Sequence, residues 1–352
     1  MNSPAPFGVY VHIPFCQKRC DYCAFATWTD RHHLHDQYLA ALRVDIETSA
    51  LPPANSVFVG GGTPTQVDSQ ALAAVISTIP QTAGAEVTVE CNPDDLTAEM
   101  LHDFQVAGVN RVSIGVQSMD PIVLRSLGRW HVPANVTRAV ELVKQSGLPT
   151  WNLDVIYGAA GETVEQWRHT MQAILMLEPP HVSAYGLTVE AGTPLASDPS
   201  RHPDDDDLAD KYELADDLLV AAGLDNYEVS NWSRPGHESQ HNRLYWMQHD
   251  YRGFGCAAHS HRSGRRSWNV RTPERYIAAI EGSASPEGGF ELLDDATRRI
   301  EGLQLALRMR EGVPVGSLEI SGLDDLVTLN DGRVQLSRRG RLLANEVSLR
   351  LN

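Results

Sequence analysis

Three of the five cysteines in the chain stand close together, as Cys16, Cys20 and Cys23 in a C-x3-C-x2-C spacing. Thiolates at this spacing on one loop can converge on a single metal centre. Zinc needs four ligands, and its structural sites favour two C-x2-C pairs; the sequence has no second pair, although His12 could supply a fourth ligand. An iron–sulfur cubane is normally held by four cysteines, so three would leave one iron open to an exchangeable molecule. The spacing therefore predicts a metal centre, with an iron–sulfur cluster and a zinc site as the alternatives.

The composition excludes several classes of function. The 352 residues include 29 Lys and Arg against 45 Asp and Glu, a formal net charge of −16. Nucleic-acid binding and polybasic membrane anchoring both need a basic face, so neither is expected. No apolar run approaches the ~20 residues of a transmembrane helix, and the first residues lack the pattern of a signal peptide. We therefore expect a cytoplasmic protein with no nucleic-acid partner, no disulfide framework, no transmembrane segment and at most peripheral membrane contact.

The elements that must position the cysteines follow a strand–helix alternation. Short apolar runs rich in β-branched residues predict six strands, and amphipathic patterns between them predict five helices. The predicted strands lie near residues 9–13, 56–59, 87–91, 111–117, 151–156 and 182–187, and the predicted helices near 36–49, 69–79, 97–107, 135–146 and 163–177. Successive strands are far enough apart for a crossover helix, which is typical of a parallel sheet. Six units are two short of a complete eight-stranded barrel, so a partial barrel and a doubly wound sheet are both open.

The residues within the strands favour a barrel with a polar interior. In the first strand Val9, Val11 and Ile13 alternate with Tyr10 and His12, whereas parallel strands buried on both faces usually read as continuous apolar runs. A half-solvated antiparallel sheet would also alternate, but the long connections oppose it. Since a dry interior does not tolerate unpaired polar groups, we predict an α/β fold, a partial (β/α)6 TIM-like barrel with a polar-lined lumen.

The pattern changes after the sixth strand and suggests three parts. Residues 1–225 would form the barrel, 226–290 a connecting region dense in His, Trp, Tyr and Gly, and 291–352 a small, mainly helical C-terminal domain. The segment GFGCAA at 253–258 fits G-x-G-x-x-A formally. We expect no strand before it, so we predict no dinucleotide-binding fingerprint there.

The sequence around the cysteines resembles the radical S-adenosylmethionine (SAM) superfamily, in which the same spacing carries an aromatic residue, here Tyr22, before the last cysteine. In that superfamily three cysteines bind a [4Fe-4S] cluster and the fourth iron takes SAM. The longer run YVHIPFC at residues 10–16 is similar to the oxygen-independent coproporphyrinogen III oxidase family and its heme chaperone branch, HemW. The segments GGGTPT, VTVECNP, SIGVQSMD, GRWH and NLDVIYG follow in the family's order. The resemblance covers most of residues 8–190.

The resemblance implies which residues hold the cofactors. Cys16, Cys20 and Cys23 would bind the cluster, while Cys91 and Cys256 would not. The positions implied for SAM on the cluster are Tyr10, Gly62 and Glu90, and Gly61 beside them is a further cofactor-binding position. Those that hold a second SAM in the oxidases are matched by Tyr22, Thr63, Gln117, Arg129 and Asp154. Most of these residues follow the carboxyl ends of predicted strands, where the active sites of α/β barrels lie.

A further segment implies heme. Residues 241–246, HNRLYW, resemble the HNxxYW signature of the HemW branch, which implies heme binding at His241, Asn242, Tyr245 and Trp246. The chemistry is suitable, because imidazole ligates heme iron and aromatic rings stack on a macrocycle. The alternative is a packing motif in which His241 only hydrogen-bonds a neighbour.

Three functions remain open. Phe25 stands where the oxidases carry another cysteine, which places the chain with the heme chaperones and implies transfer of heme to an acceptor such as a respiratory cytochrome. The second is a radical SAM enzyme acting on a porphyrin-type substrate, as a coproporphyrinogen III oxidase-like dehydrogenase or decarboxylase or as a methyltransferase. The third is a structural zinc protein.

Overall fold

The structure is a computed structural model that describes residues 5–352. The strands are β1 Phe7–Ile13, β2 Ala54–Gly61, β3 Gln81–Cys91, β4 Arg111–Gln117, β5 Thr150–Tyr157, β6 His181–Gly186, β7 Asp225–Glu228, β8 Asn231–Ser233, β9 Asp250–Phe254, β10 His259–Arg262, β11 Arg265–Asn269, β12 Glu287–Leu292, β13 Val313–Pro314, β14 Val327–Asn330 and β15 Arg333–Leu336. The α-helices are α1 His35–Thr48, α2 Ser69–Ser77, α3 Ala98–Val106, α4 Pro121–Ser126, α5 Pro133–Ser146, α6 Val164–Leu175, α7 Asp205–Ala221, α8 Gln240–Trp246, α9 Pro273–Glu281, α10 Asp295–Leu307, α11 Arg338–Leu342 and α12 Ala344–Ser348.

Six parallel strands form the centre of the main sheet. Strands β1 to β6 pair in chain order, each parallel to the next, and α1, α2, α3, α5 and α6 lie in the connections between them. Local sequence explains where these helices begin and end. For example, Thr163 and Gln166 form a reciprocal capping box at the start of α6, and Gly147 ends α5 with a φ of 74°. The six strands and five helices predicted from the sequence are confirmed.

The main sheet extends beyond this centre at both edges. Strand β9 pairs parallel with β1 and leads into the antiparallel strands β10, β11 and β12, while β8 and β7 extend the other edge antiparallel to β6. Within residues 5–352 the order is β12-β11-β10-β9-β1-β2-β3-β4-β5-β6-β8-β7, a sheet that does not close on itself. The expectation that no strand accompanies residues 253–258 is therefore wrong, since β9 includes Gly253. The segment continues into β10 rather than into the helix that a dinucleotide-binding fingerprint requires.

The two faces of the central strands differ as their alternation predicts. Val9, Val11 and Ile13 are fully buried and belong to the main hydrophobic core. On the other face, Asn152 donates to Ser113 Oγ at 2.6 Å and contacts the ring of His181 at 2.5 Å. The ring of His181 also contacts the Tyr227 hydroxyl at 2.8 Å. These buried polar groups pair with one another, which offsets the cost of burying them. Thr88 Oγ1 and two nitrogens of Arg111 are also buried and have no hydrogen-bond partner among residues 5–352.

The C-terminal segment has its own small core and is anchored to the barrel. Helices α10 to α12 pack with the three-stranded sheet β13-β15-β14 around a core that includes Leu307, Val313 and Val347. Both terminal nitrogens of Arg341 lie 3.0 to 3.2 Å from the carboxylate of Asp216 on α7. Among residues 5–352, none of the helices has the length and apolar character needed to cross a membrane.

Candidate functional site

A cavity of about 830 Å³ opens at the carboxyl ends of the central strands. Its volume is within the usual range for small-molecule and cofactor sites, and its position is the one that α/β barrels use for active sites. The sequence-predicted residues that line it are Cys16, Cys20, Tyr22, Cys23, Gly61, Gly62, Thr63, Glu90, Gln117, Arg129 and Asp154. Tyr10 and the HNxxYW residues do not line it. The structure thus brings together eleven residues that are spread over 139 positions of the chain, from Cys16 to Asp154.

The cysteines belong to a loop that is tied down at both ends, which we call the cluster loop (residues 14–28). The Trp28 amide donates to Pro14 O at 2.8 Å and the Cys16 amide to Trp28 O at 3.1 Å, while the Cys23 amide donates to Cys20 O. The other two cysteines are buried in the hydrophobic core; Cys256 does not line the cavity, whereas Cys91 at the end of β3 does. The cluster loop is thus the segment that presents three thiols to the cavity.

Burial and two neighbouring polar side chains determine the electrostatic environment of the thiols. Burial, together with the neighbouring thiols, raises the pKa of Cys16 to about 11, although Thr63 Oγ1 donates to its sulfur at 3.6 Å. Arg129 Nη1 lies 3.6 Å from Cys20 Sγ. Without a metal the Cys16 thiol therefore stays protonated near neutral pH, whereas a coordinating metal deprotonates a thiol outright. Among residues 5–352 no group of three or more His, Cys, Asp or Glu side chains is already arranged to hold a metal ion.

The glycine-rich segment after β2 is joined directly to the cluster loop. The Gly62 amide donates to Ile13 O at 2.7 Å and the Thr63 amide to Phe15 O at 2.8 Å. Gly61 has a φ of +109°, and a Cβ there would lie 2.2 Å from the ring of His12. Glycine is thus required at this approach, because a side chain would collide with the strand that carries the cluster loop.

Two carboxylates lie deeper in the cavity and suit the amines and hydroxyls of an amino-acid nucleoside. Glu90 Oε2 accepts from the Gly61 amide at 3.0 Å, and burial and the nearby Asp154 raise the pKa of Glu90 to about 7. Burial also raises the pKa of Asp154, although its carboxylate accepts from Ser113 at 2.7 Å and from Asn152 at 2.8 Å. Two carboxylates this close repel each other when both are ionised, and a cationic ligand between them would reduce that repulsion.

We expect Glu90 to impose a pH dependence on the ligand-free protein. The ordinary pKa of a glutamate is 4.5, and the folded value is about 7. The folded state therefore binds more protons between these values, and the free energy of unfolding falls as pH rises through that window. In Glu90→Gln the decrease in unfolding free energy between these pH values should be smaller by roughly 1 to 3 kcal/mol. This range lies below the value that the full pKa shift would give, because the carboxylate faces the cavity. Urea denaturation at pH 5 and pH 8 measures it.

The matched control is Glu141→Gln, which changes an exposed glutamate on α5. Its unfolding free energy should follow the wild-type pH profile. If Glu90→Gln also keeps the wild-type profile, the carboxylate does not titrate in this window and the assignment is wrong.

Gln117 and Arg129 line the cavity and both approach Gly115. Gln117 has a φ of 60° at the end of β4, where the pairing with β5 shifts register between Gly115 and Gln117. A non-glycine residue in this region is uncommon and is often found at functional sites. Arg129 Nη2 donates to Gly115 O at 2.9 Å, which fixes the guanidinium between this bulge and Cys20.

Tyr10 lies in the lumen beneath the cavity rather than in its wall. Its hydroxyl contacts His12 Nδ1 at 2.9 Å, and His12 Nε2 lies 2.9 Å from Ala26 O in the cluster loop. Since the carbonyl can only accept, Nε2 carries the proton and Nδ1 accepts from Tyr10. Both ring nitrogens of His12 are therefore used within the protein, so the residue supports the cluster loop and is not available as a fourth metal ligand.

The HNxxYW residues form helix α8, which occupies the opposite end of the same lumen. Leu244 packs beneath Gly8 at the start of β1. His241 is 1% exposed, and its ring contacts Ser56 Oγ and the Tyr245 hydroxyl, each at 2.9 Å. Burial lowers the pKa of His241 to about 3, so the ring is neutral.

The other two residues of the signature sit at the edges of α8. The backbone amide of Asn242 donates to the hydroxyl of Ser239, which caps the helix. The Trp246 ring lies 4.7 Å below the Arg308 guanidinium, and its indole N–H has no acceptor among residues 5–352. The structure therefore places the signature away from the cavity, with His241 buried and the other three residues partly buried.

Several cavity residues were not predicted as site residues from the sequence. Trp130 and Tyr185 line the cavity and are 65% and 40% exposed, and His131 lines it while its Nε2 contacts Val116 O at 2.9 Å. The segment GRWH already contained Trp130 and His131, but only Arg129 was selected from it. An exposed tryptophan next to a site residue is a signal that could have been used.

Comparison with known proteins gives a consistent result. A family model described as the radical SAM superfamily matches residues 10–174. "Heme chaperone HemW" of Mycobacterium tuberculosis strain H37Rv is 39% identical over 365 aligned positions, which cover 97% of this chain and 94% of the relative. "Heme chaperone HemW" of Escherichia coli K12 is 36% identical, with 84% and 83% covered. The solved structure of coproporphyrinogen III oxidase (HemN) from Escherichia coli matches with a TM-score of 0.85 at 21% identity, covering 98% of this chain and 89% of that one. A structural likeness at this identity shows the fold alone, and it confirms the predicted radical SAM type of architecture.

Proposed function

Because the chain belongs to the HemW family of the radical SAM superfamily, we propose that it is a cytoplasmic heme chaperone that carries a [4Fe-4S] cluster with SAM. It binds heme and transfers it to an acceptor such as a respiratory cytochrome. The observation that carries the proposal is the convergence of the three clustered cysteines and the glycine-rich segment on one cavity, in a chain whose relatives over nearly its full length are named heme chaperones.

The residues present fit the two cofactors. Three thiols on a tethered loop supply the ligands of a cluster with one open iron, and the adjacent Gly61–Thr63 backbone and Glu90 offer a donor surface and a carboxylate to an amino acid. When bound, such a cluster would supply electrons one at a time to SAM. Glu90 would hold the ammonium group of SAM, and Arg129 would place a positive charge beside the cluster loop. Gln117 and Asp154 also line the cavity, and we propose that they would contact a second SAM.

Phe25 favours the chaperone over the oxidase. The oxidases that the sequence resembles have a cysteine at this position, whereas here a phenyl ring lines the cavity and is 66% exposed. A chaperone can bind SAM without reacting it, so no catalytic base is assigned. The enzyme alternative rests on the likeness to coproporphyrinogen III oxidase, which concerns the fold.

We expect the anaerobically reconstituted protein to bind about one heme per chain. Hemin titration should give a saturable shift of the Soret band, because the protein replaces water around the macrocycle. Incubation of the loaded protein with membranes that contain apo-cytochromes should then move heme to the membranes, as followed by the Soret spectrum of each fraction. Free hemin at the same concentration is the control for spontaneous transfer.

A second incubation tests the enzyme alternative. With coproporphyrinogen III, SAM and a reductant, the proposed chaperone should yield no protoporphyrinogen. Sustained turnover together with no saturable heme binding would reject the chaperone and assign the chain to the oxidases.

A further inference from the structure

A series of hydrogen bonds crosses the lumen from the cavity to helix α8, and we call it the lumen chain: Asp154, Asn152, His181, Tyr227 and Ser239. Asn152 Nδ2 donates to Asp154 Oδ1 at 2.8 Å, and Asn152 Oδ1 lies 2.5 Å from His181 Nδ1. His181 Nε2 lies 2.8 Å from the Tyr227 hydroxyl, which accepts from the Ser239 amide at 3.2 Å. Asp154 lines the cavity and Ser239 caps α8, so the lumen chain joins the two candidate sites.

Every bond of the lumen chain has its donor on the side of α8. Because the Ser239 amide can only donate, the Tyr227 oxygen accepts from it and points its own proton at His181. Nε2 of His181 therefore accepts, and the ring proton is on Nδ1, from which it is donated to the amide oxygen of Asn152. Hydrogen bonds aligned in this way polarise one another, and the carboxylate at the end strengthens the bond that it accepts.

The lumen chain is shielded from bulk water. Its members between Asp154 and α8 are at most 2% exposed. Burial holds the pKa of His181 well below its ordinary value, so the ring is neutral and keeps one donor and one acceptor. A buried group that loses its partner stays unpaired, which costs more than the hydrogen bond itself contributes. A change at one bond is therefore felt by the neighbouring bonds rather than by solvent.

At the α8 end, the Tyr227 hydroxyl and the Glu86 carboxylate both hold the start of the helix. Glu86 accepts from the Gln240 and His241 amides at 3.1 Å each. The first turn of α8 carries His241, whose side chain is buried, so heme can reach this ring only if the turn opens. A ligand that weakens the Tyr227 contact would lower the cost of that opening.

At the cavity end, a ligand changes the acceptor on which the lumen chain ends. Amine or hydroxyl donors of SAM would share the Asp154 carboxylate with Asn152 and Ser113, which donate to it in the ligand-free protein. Because each added donor draws on the same negative charge, the bond from Asn152 weakens and the bonds behind it are polarised less. The contact between Tyr227 and the Ser239 amide weakens in turn.

We infer that His181 and Tyr227 are positioning residues that couple the cavity to helix α8, so that SAM in the cavity makes heme bind more tightly at α8. This inference rests on the proposed function, because the heme chaperone role supplies both ligands. Since coupling between two sites is reciprocal, heme at α8 should tighten SAM binding by the same factor. A merely structural role of the two residues would change stability and leave no such factor.

Hemin titration with and without SAM tests the coupling. In the full chain reconstituted with its cluster, saturating SAM should lower the Kd of hemin about fivefold, at the low end of the usual range of coupling. Tyr227→Phe interrupts the lumen chain and should bring this factor close to one. Tyr276→Phe is the matched control, since it removes an equally buried hydroxyl that donates to Asp45, outside the lumen chain. It should keep the fivefold effect, and a fivefold effect in folded Tyr227→Phe would overturn the inference.

Hydrogen exchange of the wild-type protein gives a second measurement that needs neither heme nor a variant. The amides at the start of α8, residues 239–242, should exchange faster with SAM than without it, whereas those of α9 should not change. Equal exchange at α8 in both conditions would contradict the coupling. If wild-type protein binds no heme, the proposed function fails instead, and the exchange experiment still decides whether the cavity is connected to α8.

Discussion

Cys20→Ser is expected to abolish the iron–sulfur cluster while leaving the protein folded. Reconstituted wild-type protein should contain about four iron and four sulfide per chain, and the variant should fall to the background of the assay. Cys20 is only partly buried, so serine is tolerated sterically. A serine hydroxyl, however, does not ionise and replace a thiolate ligand. The same loss is expected for Cys16→Ser and Cys23→Ser.

The remaining cysteines provide the control for this result. Cys256 is buried in the hydrophobic core and does not line the cavity, so Cys256→Ala should lose some stability and keep its iron. Iron and sulfide analysis, the visible absorption and bleaching by dithionite measure the outcome. Equimolar zinc without iron in the wild-type protein would contradict the cluster, as would Cys20→Ser with full iron content.

The second large effect is expected from Gly62→Ala, a change of one methyl group. A Cβ at this position would lie 2.6 Å from Phe15 O and 2.8 Å from Ile13 O. These carbonyls accept the Thr63 and Gly62 amides, so they cannot move aside without breaking hydrogen bonds. The clash and the lost bonds should lower the free energy of unfolding by about 2 to 4 kcal/mol. They should also separate the glycine-rich segment from the cluster loop, with loss of SAM affinity.

Gly302→Ala is the matched control for this substitution. Its Cβ would meet only the flexible end of Gln248, at 2.8 Å, and alanine is favoured over glycine within a helix such as α10. Its stability should therefore stay near that of wild type. Urea denaturation measures both variants, and isothermal titration of the reconstituted proteins measures their SAM affinity. Equal stability and equal SAM binding in Gly62→Ala would show that the close approach is not essential.

The sequence was sufficient for the central part of the fold because its signals are local. Strands such as β1 alternate between core and lumen, and the connections between them are long enough for a helix, so the parallel order β1 to β6 follows. The extension at the sheet edge was not predictable in the same way. Residues 250–254, DYRGF, lack a clear apolar pattern, and β9 forms because β1 offers it a parallel partner 243 residues away along the chain (Phe7 opposite Asp250).

In the candidate site, too, the features with local sequence signals were predictable and those that depend on distant contacts were not. The cysteine spacing and the glycine-rich segment are recognisable locally, and eleven of the residues predicted for cofactors line one cavity. The positive φ of Gln117 is not encoded in its residue type, and the exposure of Trp130 depends on which elements leave its ring uncovered. The role of His241 stays a prediction, because the structure gives the contacts of its ring with Ser56 and Tyr245 and these contacts alone do not decide iron ligation.

Helix α8 has a consequence for how ligands are exchanged. Because α8 occupies the end of the lumen opposite the cavity, a small molecule bound near Glu90 enters and leaves through the cavity opening. An incoming molecule therefore cannot displace a bound one from behind and has to wait until it has left. Exchange of labelled SAM should accordingly proceed at a rate that does not depend on the concentration of unlabelled SAM.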